Sequence, residues 1–202
     1  RIRLRENSLF TDDLAREYAA QNTDILFISD IRSADPSVLS EDETEQQVAQ
    51  DMKTQSTWHR LMNARNSMFK FRLPWKPGKT TYLAGAIYLP IWGPITTTES
   101  RLIVERGAED VEYDNSGYEE QMFYFNTVTR VARYQHNITG EGIDHCYDCT
   151  AEISVLRDYL IKHKSFAADD TKLYQEIGRM SEEISSHISS HRKLSSPNPD
   201  PE

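Results

Sequence analysis

The amino-acid sequence predicts an α/β fold built on a mostly parallel sheet, and three observations carry that expectation. The run Asp24-Ile-Leu-Phe-Ile-Ser-Asp30 is short, apolar on both alternating faces and bounded by acids, which is how a buried parallel strand reads. A helix-opening signal at Ser40 follows it, and two further strand-like segments come after that helix, giving strand–helix–strand order. With 202 residues, 38% of them hydrophobic, the chain is long enough for one ordinary domain with a real core.

Taken in order, residues 2–5 alternate apolar and basic side chains and read as a short strand. Thr11 caps a helix whose first turn holds Asp12 and Asp13 and which runs to about residue 21. After the 24–30 strand, Ser40-Glu41-Asp42-Glu43 is a capping-box pattern. It opens a helix to about residue 66, with Val48, Met52 and Met62 among its apolar positions. Residues 67–73 and 81–89 read as strands separated by a loop containing Pro74, Trp75, Pro77 and Gly78. Residues 99–105 form another strand candidate. Tyr118, Met122, Phe125 and Val128 fall at helical spacing. So do Leu173, Ile177, Met180, Ile184 and Ile188, a stripe expected to pack on its own domain. Residues 195–202 hold three prolines and read as a disordered tail. No internal repeat is visible.

Several function classes drop out. No run of about eighteen apolar residues could span a membrane. Two cysteines cannot build a disulfide framework, so a reducing, intracellular setting is expected, with cytoplasm and nucleus left open. His145-Cys146-Tyr-Asp-Cys149 holds a single C-x-x-C. Even with His136 it lacks a second pair for a structural zinc site, and its cysteines read as ordinary thiols with no metal. Asn137-Ile-Thr139 matches a glycosylation sequon, but nothing indicates secretion. The sequence starts at Arg1 without a basic-then-apolar leader, and a piece of something longer is one expectation.

Charge is segregated along the chain. Residues 1–51 carry five basic and twelve acidic side chains, and residues 99–202 carry eleven and twenty. Between them, residues 52–98 hold Lys53, Arg60, Arg65, Lys70, Arg72, Lys76 and Lys79 and no carboxylate. Trp58, Trp75, Trp92, Phe69, Phe71, Tyr82 and Tyr88 lie in the same stretch. Cations attract phosphates and aromatic faces accept unstacked bases, so the stretch suits RNA or a nucleotide. A solvated basic face on an acidic protein explains the composition equally well.

Asp30 closes its strand, Lys70 sits inside Met68-Phe-Lys-Phe-Arg72, and Glu99 begins a strand. In an open parallel sheet such positions flank the ligand crevice. A lysine centred in an apolar strand is costly to bury unless paired or neutral, so a salt bridge between strand ends is the plain alternative to a site.

Four segments, in order, resemble motifs of one family: Asp24-Ile-Leu-Phe-Ile-Ser-Asp-Ile-Arg-Ser33, Phe69-Lys-Phe-Arg-Leu-Pro-Trp75, Thr98-Glu-Ser-Arg-Leu102 and Tyr118-Glu-Glu-Gln-Met-Phe-Tyr-Phe-Asn126. The family is that of the poxvirus-type cap-specific mRNA nucleoside 2′-O-methyltransferases, whose poxvirus members also act as a processivity subunit of poly(A) polymerase. The resemblance runs from about residue 2 to 165, with residues 147–160 matching more loosely. It implies a Rossmann-like methyltransferase sheet, incomplete at its N-terminal side, over residues 1–165. A C-terminal helix over 166–194 and the tail 195–202 would follow.

By that resemblance, Asp30, Lys70 and Glu99 take the second, third and fourth places of a Lys-Asp-Lys-Glu catalytic set. The reaction would move a methyl group from S-adenosylmethionine to a ribose 2′-hydroxyl of capped mRNA. A lysine accepts the hydroxyl proton only when neutral, which burial or a second cation promotes and adjacent carboxylates oppose. Asp30 and Glu99 are therefore expected to orient Lys70 and the hydroxyl. Trp75 falls on a position that stacks on the methylated guanine, and Glu119 on one that reads its edge. A loop anchor and a first-turn helix acid are their structural alternatives.

Two departures from the family pattern stand out. The second edge-reading carboxylate would fall near Pro77, which cannot supply one. The glycine-containing cofactor loop and the first catalytic lysine have no counterpart in residues 1–24. What remains for S-adenosylmethionine is Asn7, Ser8, Asp30 and Arg32. The leading expectation is thus a cap 2′-O-methyltransferase or its catalytic-strand portion. The alternative is a non-catalytic cap- or RNA-binding module, or a polymerase processivity partner, that has lost cofactor binding; capped mRNA and a polymerase or capping enzyme are the expected partners.

Overall fold

The structure, a computed structural model, describes residues 5, 8–35, 37–90, 96–133, 140–143 and 149–188. They divide into two compact units, Arg1–Pro90 with Thr98–Met122, and Ile91–Thr97 with Phe123–Glu202. The expectations placed on residues 2–4, Asn7, His136, Asn137, Cys146, the Cys149 side chain and residues 195–202 lie outside what is described. No helix among the described residues is long and apolar enough to cross a membrane.

In the first unit, helix α1 (Asp12–Ala19) starts where the Thr11 hydroxyl accepts the Leu14 N–H at 3.3 Å. Strand β1 (Leu26–Ser29) follows. Helix α2 (Glu41–Met62) opens with the reciprocal capping box of Ser40 and Glu43 and stops at Asn63, whose left-handed backbone ends it. Strands β2 (Asn66–Phe71), β3 (Lys79–Leu83), β4 (Ala86–Tyr88), β5 (Ser100–Glu105) and β6 (Asp110–Asp114) come next, and then helix α3 (Asn115–Tyr124).

The main sheet runs β1-β2-β5-β4, and β3 pairs separately with β6. Only β1 and β2 are parallel; β2–β5, β4–β5 and β3–β6 are antiparallel. This corrects the mostly parallel expectation to a mixed sheet. The reason lies in the connections: α2 is a crossover that returns the chain to run beside β1, whereas the strand-bearing excursion after β2 brings β5 back in the opposite direction. Strand β1 stands at one end of that strand order. Among the described strands it pairs only with β2, and Leu26 and Ile28 stand 72% and 68% exposed.

The strand expected over residues 81–89 splits at Ala84-Gly85, where the chain leaves the β3–β6 pair and joins β5. A Cβ at Gly85 would lie 2.5 Å from the Ile103 carbonyl oxygen, so only glycine lets the two backbones approach. Strand β6, Asp110-Val-Glu-Tyr-Asp114, carries too little apolar alternation to be seen in sequence.

The core follows the two-residue period of the sheet. Phe69 and Phe71 of β2 and Leu102 and Val104 of β5 point to one face, against Val48 and Met52 of α2 and Tyr118 and Met122 of α3. Their neighbours Met68, Lys70, Arg101 and Ile103 take the other face. Ala15, Trp58, Met62 and Ala64 pack α1 on α2, and the Trp58 indole donates to Asp12 at 2.9 Å.

In the second unit, a π-helical turn (Phe125–Thr129) follows α3 and leads into α4 (Arg130–Arg133). The wider turn shifts which side chains are buried. Asn126 and Arg130 are enclosed, and Val128 is left 46% exposed instead of lying on the expected apolar stripe. Helices α5 (Cys149–His163) and α6 (Leu173–Ile188) pack through Ile153, Leu156, Leu160, Leu173 and Ile177. Later on α6 the buried face turns to Ser181 and Ser185, and Ile184 is exposed. Gly178 lets the backbone at Glu141 and Gly142 cross against α6.

Two outcomes follow from this packing. Gly85→Ala forces β4 away from β5 and should destabilise the chain by about 1–3 kcal/mol in a urea melt, the usual cost of overpacking. His59 is 3% exposed and its Nδ1 meets Ser67 Oγ at 2.7 Å. Burial is the main cause holding its pKa below the ordinary 6.5, aided by the Arg60 charge and opposed by a backbone contact with Glu105. The unfolded chain then takes the proton more readily, so this contribution is complete above about pH 6.5 and is lost as pH falls below it. Melts at pH 7.5 and 5.5 should show a drop that His59→Gln reduces.

Candidate functional site

The register of three strands assembles the site. In the parallel β1–β2 pair Ser29 lies opposite Phe69, so Asp30 and Lys70 come next at the same sheet end. In the antiparallel β2–β5 pair Lys70 lies opposite Arg101, which places Glu99, two residues earlier, at that end as well. Because Phe69 and Phe71 turn into the core, Lys70 must turn to the other face, where its side chain remains 16% exposed.

The three side chains converge. Lys70 Nζ is 3.5 Å from Asp30 Oδ1 and 3.4 Å from Glu99 Oε2. Arg101 clamps the same two acids, donating to Asp30 Oδ1 at 2.9 Å and to Glu99 Oε1 at 2.6 Å. Arg32 approaches Glu99 Oε2 at 3.8 Å. Burial is the chief cause lowering the Arg32 pKa from its ordinary value, with the Glu99 charge working against it. The Arg32 Nη atoms are buried without a hydrogen-bond partner. Three cations thus meet Asp30 and Glu99, with Asp51 also acting on Arg32, a dense set of charged donors and acceptors that suits an anionic or hydroxyl-bearing ligand.

Sequence reasoning missed three supports of this cluster. Arg101 was signalled by its position opposite Lys70. Asp51, an acid on the buried side of α2, accepts the Ser33 N–H at 2.8 Å and the Ser33 hydroxyl, fixing the loop that carries Asp30 and Arg32. Gln55 donates to the Lys70 carbonyl at 3.2 Å from the same helix face.

Trp75 is 42% exposed, and the Arg72 guanidinium lies over its ring, 4.5 Å from the centroid. Arg72 is itself buried and paired with Glu45 at 2.6 Å. Asn115 ties the Trp75 loop to the start of α3: its side chain donates to the Lys76 carbonyl at 3.0 Å and its backbone N–H to the Gly78 carbonyl at 3.0 Å. Glu119 sits exposed one turn later. Its neighbour Tyr118 is buried and donates to the Thr98 carbonyl at 2.7 Å, linking α3 to the strand next to Glu99. Burial pushes the Tyr118 hydroxyl up to about 12, against the effect of its hydrogen bond with Ser100. Pro77 is exposed in the same loop.

The basic stretch looks different once folded. Arg60 pairs with Asp110, Arg65 with Asp24, Lys70 with Asp30 and Glu99, Arg72 with Glu45, Lys76 with Asp42 and Lys79 with Glu112. Only Lys53 of its seven cations has no ion pair among the described residues, so a broad bare phosphate surface is not what this stretch forms.

The residues available to S-adenosylmethionine are few. Ser8 is exposed, and the Asp30 carboxylate is already held by Arg101 and Lys70. Leu26 and Ile28, which precede Asp30 on its face of the sheet, are open to solvent and wall off nothing. The described residues alone therefore do not fit the cofactor. Among them there is also no group of three or more His, Cys, Asp or Glu suited to a metal ion.

A search of curated proteins finds no match to the chain. A family model described as "Poly A polymerase regulatory subunit" matches residues 4–180. That span takes in every strand of the sheet, the ion cluster, the Trp75 loop and Glu119. The chain belongs to the poly A polymerase regulatory subunit family.

Proposed function

We propose that this chain is an RNA-engaging regulatory module that works beside a poly(A) polymerase and grips the transcript through its 5′ cap. The observation that carries this reading is the braced tryptophan. Arg72, immobilised by Glu45, supports the Trp75 ring, and the ring is still 42% exposed. A methylated guanine carries positive charge and is attracted to an aromatic face, while its N–H edge needs an acceptor such as the exposed Glu119 carboxylate. The Arg101–Lys70–Arg32 cluster supplies the positive charge for a phosphate or ribose further along the strand. Family membership supports the polymerase as partner.

A second reading, methyl transfer from S-adenosylmethionine to a ribose 2′-hydroxyl, is favoured by the convergence of Asp30, Lys70 and Glu99. It needs a cofactor cradle that the described residues do not provide.

Titrating the chain with capped RNA, uncapped RNA and S-adenosylmethionine separates the two. The regulatory reading expects a cap preference without cofactor binding; no preference between the RNAs defeats it, and cofactor binding moves the balance to the second. Trp75→Ala should weaken capped-RNA binding by about 1–3 kcal/mol, the value of a stacking platform. Lys70→Ala should leave cap preference intact. In any preparation that methylates RNA, that same variant should slow transfer by roughly 10²–10⁴, as expected for removal of a positioned base. Thermal melts of both variants must match the parent for these comparisons to count.

A further inference from the structure

A groove of about 440 Å³ lies in the first unit between α2 and β3, apart from the Lys70 cluster. Its floor is apolar, formed by Val48, Ala49 and Met52 of α2 and by Tyr82 of β3. The Tyr82 hydroxyl donates to the Met52 carbonyl at 2.8 Å and sets the spacing between helix and strand. The volume is that of an ordinary ligand pocket.

The strand wall has unused backbone capacity. Just outside β3, the Gly78 carbonyl accepts from Asn115 N–H at 3.0 Å and the Ala84 N–H donates to Glu109 at 2.8 Å. Antiparallel alternation then turns the even-numbered residues between them toward β6 and directs the Thr81 N–H and C=O the other way. Among the described strands none pairs with β3 on that side. Thr81 itself lines the groove.

Charge narrows the occupant. The ends of the groove are neutralised, Arg72 by Glu45 and Arg60 by Asp110. Lys53, midway along, has no ion pair among the described residues, so the groove presents one unmatched cation above an apolar floor. A polyanion such as RNA would find a single partner for its phosphates. An extended peptide uses all three features.

We propose that this groove accepts a linear peptide segment of a partner protein as an added strand on β3. An acidic side chain would meet Lys53, and an apolar one would enter between Val48, Met52 and Tyr82. The stretch of α2 from Glu45 to Arg60 rises about 22 Å, the length of six or seven extended residues. Main-chain bonds to Thr81 give affinity, and the two side-chain subsites give selectivity. The inference does not rest on RNA or cap recognition.

The test is selection of a displayed random octapeptide library on the whole chain, followed by fluorescence anisotropy with the recovered peptides. Recovered sequences should share an Asp or Glu flanked by Val, Ile or other apolar residues. Changing that acid to its amide should weaken binding several-fold, and Lys53→Glu should weaken it at least tenfold. Ala49→Trp fills the groove from an exposed position and should abolish binding while leaving RNA binding unchanged. Lys53 is a surface residue, so its variant keeps the test decisive even if Ala49→Trp folds poorly. Recovery of no peptide above background overturns the proposal. So do recovered peptides that bind Lys53→Glu and Ala49→Trp as tightly as the parent, or an enrichment in basic rather than acidic sequences.

Discussion

The first unit depends on the meeting of a carboxylate-free stretch with acids drawn from both sides of it. Asp24, Asp30, Asp42 and Glu45 come from before the stretch, and Glu99, Asp110 and Glu112 from after it. Most of these pairs are exposed and contribute little energy individually, about 0–1 kcal/mol. Glu45–Arg72 differs, because its side chains are only 13% and 7% exposed and losing either partner would strand a buried charge. The pairs therefore act less as glue than as specification. They tie α2 to the Trp75 loop and to β6, and they join three strand ends at one sheet edge.

That edge illustrates how the sheet's period decides chemistry. Phe69 and Phe71 are claimed by the core, so Lys70 between them has no choice of face. Antiparallel pairing brings Arg101 directly opposite, and the two cations then require Asp30 and Glu99 nearby to be tolerable at partial burial. A cluster of this kind is held by mutual charge, and each member's position is over-determined by the others. Arg101 in particular keeps both acids in place whether or not Lys70 is engaged elsewhere.

Much of this was legible in the sequence, and for identifiable reasons. The capping box at Ser40 and the Asn63 exit define α2 by local chemistry alone, and β2 and β5 announce themselves by alternation around Phe69 and Leu102. The grouping of Asp30, Lys70 and Glu99 followed from strand ends plus resemblance. What escaped was set by partners far away in the chain. Gly85 breaks a continuous-looking strand because of the Ile103 backbone, β6 exists because β3 needs a partner, and the π turn after α3 changes helical phase without any proline or glycine to mark it. The apolar run in β1 suggested burial on both faces, yet Leu26 and Ile28 lie open, since periodicity reports what a strand can bury and not what covers it. Charge arithmetic along the chain left two readings open for the same reason, because it cannot see which acids fold back.

Arg72 stands under the Trp75 ring at one end and at the wall of the α2–β3 groove at the other, with Glu45 holding it between. A single side chain is thus shared by two surfaces. Glu45 fixes that guanidinium for both surfaces, so losing Glu45 would disturb the Trp75 platform and the groove wall together. Ligands on both surfaces would share one guanidinium, and any coupling carried through it would be reciprocal.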